Sequence, residues 1–224
     1  MTTHKNTPDK RITMGLFKRI FGKGDAEQDK RVNNEVEQIK SGQITKIYPI
    51  LKPGDWVGIQ AGALKQTLLG TQEQPELVVA FGYDAPTNFV FLMPNDLEGK
   101  DPGQVLTSAY ENLEAIESPF EFIGSLANQA LAASGNDFSS EKILCQSHML
   151  KAHKLLQAEE LLVSIPRRTC MTIISRQADR DSLAKFAAIH NYTWQDDSYG
   201  NAPIINALFI VKDGLISGVI SLDK

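Results

Sequence analysis

Three side chains in the second half of the chain, Cys145, His148 and His153, are spaced C-x2-H-x4-H, and thiolate and imidazole are good zinc ligands. On one helix at about 100° per residue, Cys145 and His148 lie about 60° apart, while His153 falls on the far side of Cys145, about 140° from His148. The three do not converge on one ion. Cys145 and His148 are also the residue types of a thiolate nucleophile and its base, but a shared helix rarely aims both at one substrate atom. The spacing therefore predicts a partly buried thiol with two surface imidazoles, and no metal or other cofactor.

Arg167 and Arg168 carry a second candidate chemistry. Guanidinium groups offer paired donors in a planar fork, so the two arginines can receive a phosphate or a carboxylate. The plainer expectation is a surface turn whose charges keep the protein soluble and blunt a sheet edge. Asp179, Asp181, Asp196 and Asp197 can supply a paired-carboxylate site. Asp179 and Asp181 equally suit a helix start, through its dipole, and Asp196 and Asp197 fall in a polar loop. Trp56, Trp194 and Tyr199 can wall a ligand if the fold unites them. The chain contains no P-loop, dinucleotide glycine fingerprint, G-x-S-x-G elbow or H-E-x-x-H helix, which points away from the commonest enzymes.

The arginines are positioned by the stretch EELLVSIPRRTCMTIIS. Leu161, Val163 and Ile165, then Met171 and Ile173, recur at every second residue, so each run buries one face of a strand. Pro166 and the arginines place the turn between them at the solvent edge. DRDSLAKFAAIHNY follows as a covering helix, and TWQDDSYGNAP as a polar loop. Upstream, residues 25 to 42 predict a wet helix with a Val32, Val36, Ile39 stripe closed by Gly42. ITKIYPILKPGDWVGIQ reads as extended structure, and residues 62 to 70 as a short helical or irregular piece. ELVVAFGYD and TNFVFLMP pair as a hairpin about Asp84-Ala85-Pro86. DPGQVLTSAYENLEAIE is a helix, with Pro102 in its first turn and Val105, Leu106, Ala109, Leu113 and Ile116 on one face. FEFIGS is a short strand, NQALAASGNDFSS a loop, and Ser139 or Ser140 caps a helix beginning at Glu141. The Asp213-Gly214 pair sets a closing hairpin in INALFIVKDGLISGVIS.

Strands followed by a helix, twice over, define an α+β fold of mainly antiparallel hairpins with packed helices, a single globular domain spanning residues 25–224. With 224 residues, 42% of them hydrophobic, the chain can bury the core that such a domain needs. Its net charge of -4 hides an asymmetry. Residues 1–24 hold six Lys/Arg and one Asp, leaving -9 for the remainder. An acidic body argues against nucleic acid as a partner. Residues 1–13 are polar and without apolar period, and are expected to be disordered. Residues 15–23 place Leu16, Phe17, Ile20 and Phe21 against Lys18, Arg19 and Lys23, a short basic amphipathic segment. It suits a weak membrane or partner contact, or a tail that docks on its own domain. Two cysteines make no disulfide framework, and apolar runs too short to span a bilayer leave a soluble cytoplasmic protein as the expectation.

The strand IYPILK, the helix segment SAYENL, the turn LLVSIPRR and the hairpin PIINALFIVKDG occur in an order that resembles the bacterial DUF1444 (YtpQ-like) family. The resemblance spans roughly residues 47 to 222 and implies an intracellular bacterial protein without an assigned activity. That family places an acidic residue just after the turn arginine, where this chain has Thr169. The expectation from the sequence is a non-enzymatic domain that binds a protein or a small ligand around Arg167 and Arg168. The alternatives are a hydrolase-like enzyme using Cys145 or an acidic pair, and a peripheral membrane adaptor held by residues 15–23.

Overall fold

The structure is a computed structural model that describes residues 26–135, 137–198, 200 and 202–222. The basic segment 1–24, Tyr199 and the chain end 223–224 lie outside the described residues. The elements in chain order are α1 (Ala26–Lys40), β1 (Ile47–Pro53), the single turn α2 (Val57–Gln60), β2 (Lys65–Gly70), β3 (Pro75–Asp84), β4 (Phe89–Phe91) and α3 (Pro102–Glu114). There follow β5 (Glu121–Phe122), β6 (Ala130–Ser134), α4 (Gln146–Leu156), β7 (Glu160–Ser164), β8 (Cys170–Ser175), α5 (Arg180–Gln195), β9 (Ala207–Lys212) and β10 (Leu215–Ser221).

The strands form two antiparallel sheets. The larger, sheet B, runs β10-β9-β7-β8-β6-β5. Its period-two pattern gives it two different faces. Leu161, Val163, Met171, Ile173, Phe209 and Val211 point into the main core, while Leu162, Ile174 and Leu208 point the other way. The second face is covered by α5, whose Phe186 joins Leu162 and Ile174 in a separate cluster. α5 starts on Asp179, which accepts from the backbone N–H of Ser182 at 2.9 Å and its hydroxyl at 2.7 Å. This is the capping use of that acid, the anion also meeting the positive end of the helix dipole.

In the smaller sheet A, β3 pairs with β1 on one side and with β2 and β4 on the other. Leu51, Leu77, Val79, Phe81 and Leu92 face the main core and meet sheet B there, so both sheets share one interior. α3 packs on β1 and caps on Asp101, whose side chain accepts from Gly103 N–H at 2.9 Å. α1 is pinned through the buried carboxylate of Glu35, which accepts from the backbone and hydroxyl of Thr87 and from Asn88 Nδ2, each at 2.7 Å.

The free side of β1 shows why its sequence holds two prolines. Positions 48, 50 and 52 direct their backbone groups at β3, so the N–H groups of 49, 51 and 53 would point off the sheet. Pro49 and Pro53 have no N–H to leave unpaired. Leu51 N–H is taken by Glu141 Oε1 at 3.1 Å, and Ile47 C=O by Asn112 Nδ2 at 3.0 Å.

The α+β, mainly antiparallel reading and the Asp84-Ala85-Pro86 and Asp213-Gly214 hairpins agree with this architecture. Five readings are corrected. Val57–Gln60, read as extended, is the helical turn α2. Residues 65–70 are strand β2, with register shifts that mark its irregularity. Residues 130–134, read as loop, are β6, an interior strand of sheet B. No helix begins at Glu141 with a serine cap: Glu141–Leu144 is a 3-10 turn, and α4 starts after Cys145. α5 continues to Gln195 and takes Trp194 out of the polar loop. Among the described residues no helix is long and apolar enough to cross a membrane.

Candidate anion site on sheet A

Arg167 and Arg168 do not act as a pair. Arg167 is buried, 5% exposed. Its Nε donates to Thr193 C=O at 2.8 Å, and a terminal nitrogen to Trp194 C=O at 2.7 Å and Asp197 Oδ1 at 2.6 Å. The guanidinium thus closes the C-terminus of α5, where unpaired carbonyls gather the negative end of the dipole. The expectation of an exposed arginine turn is corrected here, since burial is tolerated when the helix end supplies fixed acceptors. The acids are likewise divided. Asp179 and Asp181 are at the start of α5, and Asp196 and Asp197 at its end, roughly 24 Å away for 16 residues.

Arg168 points elsewhere. It is half-buried, one terminal nitrogen reaches Asp137 C=O at 3.4 Å, and its Nε is buried without a hydrogen-bond partner. Its charge is felt by Lys52, Asp84 and Glu141. These residues converge because cross-strand partners share a face. Tyr48, Lys52, Gly82, Asp84, Phe89 and Phe91 all lie on the face of sheet A turned from the core, by the pairs Tyr48↔Gly82, Gly82↔Phe91 and Asp84↔Phe89. The 137–141 segment runs along the free side of β1. Glu141 caps Leu51 there, and Phe138 stacks on Tyr48 at 4.8 Å. Thr169 N–H, in a residue with φ +63°, donates to Ser140 Oγ at 3.3 Å, and Ser140 donates to Glu141 Oε2 at 2.7 Å. That relay fastens the β7–β8 turn, and so Arg168, to β1.

Lys52 Nζ lies 5.7 Å from the Trp56 ring centre and 5.4 Å from that of Phe91. Trp56 and Phe91 are 4.4 Å apart, and Phe89 is 5.0 Å from Phe91. Two glycines make room for these rings. A Cβ on Gly58 would lie 2.0 Å from the Trp56 ring, and one on Gly82 would lie 2.5 Å from Phe89. Burial, then the neighbouring Arg168 charge, push the Lys52 amine down to about 8, with Glu141 opposing. Burial and the Asp137 charge hold the Asp84 carboxyl above its usual range, with Arg168 opposing. Burial also raises Glu141, against its bonds from Ser140 and Leu51. Neither Lys52 nor Arg168 forms an ion pair within 4.0 Å with a described residue. Lys52 and an aromatic wall therefore share one face of sheet A, and the guanidinium of Arg168, with its orphaned Nε–H, stands near enough for Lys52 to feel its charge.

The other reactive groups are buried or tied into the fold, His148 Nε2 being buried without a hydrogen-bond partner. Cys145 is 4% exposed, and burial pushes its thiol up to about 12, which keeps it protonated at neutral pH. Burial and the Lys142 and Lys151 charges push His148 down to about 4; it stacks on Phe120 at 4.2 Å. His153 donates from Nδ1 to Ala158 C=O at 2.7 Å and accepts at Nε2 from Gly214 N–H at 3.3 Å, tying α4 to the last hairpin. The two imidazoles expected at the surface are thus a buried ring and a structural clip. Among the described residues no group of three or more His, Cys, Asp or Glu side chains is placed to hold a metal. His190 Nε2 donates to Asn206 Oδ1 at 3.1 Å and Nδ1 accepts from Ser164 at 2.8 Å, a serine-histidine contact sealed in the interior.

Lys52, Asp84, Glu141 and Phe91 were not singled out in the sequence as site residues; of the expected aromatic wall Trp56 stands here against Phe91, Trp194 is in the last turn of α5 and Tyr199 lies outside the described residues. The one available signal was a lysine at the third alternate position of Tyr48-x-Ile50-x-Lys52, where the pattern wants an apolar residue. No protein-family model, curated protein or solved structure matches the chain.

Proposed function

We propose that this chain is a non-enzymatic binding domain for a small anionic ligand, a carboxylate or phosphate, received between Lys52 and Arg168 against the Trp56 and Phe91 rings. The observation that carries the reading is the buried Nε of Arg168, which has no hydrogen-bond partner, near a second cation, Lys52, that forms no ion pair with a described residue. An anion would satisfy the orphaned donor and offset the Arg168 charge, which adds to burial in depressing Lys52. The protonated thiol of Cys145 and the interior position of His190 favour binding over catalysis. The cytoplasm, where thiols stay reduced, suits a chain whose two cysteines are both unpaired.

The test is thermal unfolding in phosphate, acetate or chloride at matched ionic strength. A ligand at about 100 times its Kd adds about 2.7 kcal/mol to stability, a rise of several degrees in Tm. The rise is expected with phosphate or acetate and is expected to vanish in a Lys52→Gln, Arg168→Gln double variant. A rise that survives in the double variant, or none in the parent protein, rejects the site.

A further inference from the structure

We infer that Lys52 captures its ligand covalently and reversibly, as an imine with a small oxo acid or aldehyde acid whose carboxylate is held by Arg168. The inference rests on the anion reading above and names the ligand class. Three features of the site meet in it. The amine is half-buried, on the strand face that also carries Phe91, and hydrogen-bonds to no described residue, so no protein acceptor holds it away from a ligand. The Trp56 and Phe91 rings surround the nitrogen, and aromatic faces stabilise a cation there whether it is an ammonium or a protonated imine. Arg168 supplies the fork for the carboxylate, with a donor already buried and unpartnered.

The chemistry balances without an oxidant or a cofactor. The neutral amine attacks the carbonyl carbon and forms the C–N bond. The carbonyl oxygen then leaves as water with the two amine protons, and the imine nitrogen takes one proton from solvent. An ordinary lysine holds almost no free amine at neutral pH. With Lys52 pushed down to about 8, the free fraction is roughly 250-fold larger at pH 7 than for a lysine at about 10.4.

The experiment treats the full chain with glyoxylate and sodium cyanoborohydride, which reduces an imine to a stable secondary amine, and maps the adducts by peptide mass spectrometry. Acetaldehyde is the uncharged control, and the other lysines are the internal reference. Lys52 is expected to be labelled first, with glyoxylate favoured over acetaldehyde by about tenfold relative to the reference lysines. That preference should be lost in Arg168→Gln and partly kept in Arg168→Lys, each checked for folding by circular dichroism. Labelling of Lys52 no faster than the other lysines overturns the inference, as does a glyoxylate preference unchanged in Arg168→Gln. Phosphate-induced stabilisation is measured in the same samples. Stabilisation without a Lys52 adduct rejects the imine and leaves the anion reading standing, whereas absence of both rejects both.

Discussion

Two adjacent arginines with the same side chain perform different work because their surroundings differ. Arg167→Ala leaves the carbonyls of Thr193 and Trp194 without their donor at the end of α5. Asp197 is 89% exposed, so its ion pair with Arg167 adds little, and the cost comes from the orphaned acceptors. The expected loss is about 3 kcal/mol by urea unfolding, against less than about 1 kcal/mol for Arg168→Ala, which breaks only one long contact. Equal losses would mean that the two side chains share one role. His148 makes a second residue-scale prediction, in pH. Its folded pKa of about 4 lies below the ordinary value near 6.5, so between the two the unfolded chain binds the extra proton. Stability is therefore full above pH 6.5, falls as pH drops toward 4 and levels off below. The loss at pH 4.5 is about 2 to 3 kcal/mol. His148→Gln should remove that part of the acid sensitivity, whatever its effect at pH 7, in urea midpoints compared at pH 7 and 4.5.

At the scale of elements, what the sequence discloses depends on how each strand is buried. β7 and β8 alternate cleanly because each of their faces meets a different layer, and their core residues Leu161, Val163, Met171 and Ile173 are legible at once. β6, ALAAS, is an interior strand built from alanine, a residue with little strand preference, and it is buried on both faces near its start; without alternation it resembles a loop. β2 is half-exposed and irregular in register, bounded by Gly62 and Gly70, so its pattern is weak. Glu141 was legible only as a helix-cap neighbour because its true partner, Leu51, lies 90 residues away. That long-range cap gives an element-scale prediction. Glu141→Leu leaves Leu51 N–H and Ser140 without an acceptor and should cost about 3 kcal/mol, whereas Glu141→Gln keeps an acceptor for Leu51 and should cost about 1 kcal/mol or less. Comparable losses in the two variants would show that the edge of β1 does not need the cap.

For the whole molecule, the placement of the site follows from the way two sheets are joined. The candidate ligand groups come from both: Lys52, Trp56 and Phe91 from sheet A and its connections, Arg168 from the β7–β8 turn of sheet B. Their geometry holds only if the sheets move as one body. The shared core argues that they do, since Leu51, Leu77, Val79 and Phe81 of sheet A are in one cluster with Leu131, Val163, Met171 and Phe209 of sheet B. The chain carries its own reporters of this coupling. Trp56 stands against β4 of sheet A, and Trp194 at the end of the helix that covers sheet B. In Trp56→Phe and Trp194→Phe, the single remaining tryptophan reports on one layer. Each variant has its own stability, so its fluorescence transition in urea is compared with the far-ultraviolet circular dichroism of the same sample. One cooperative unit predicts coincident midpoints and slopes by both probes in both variants. A fluorescence transition displaced from the backbone signal would mean that one sheet opens while the other stays folded. An Arg168 carried by a separately opening layer could not be held in fixed relation to Lys52.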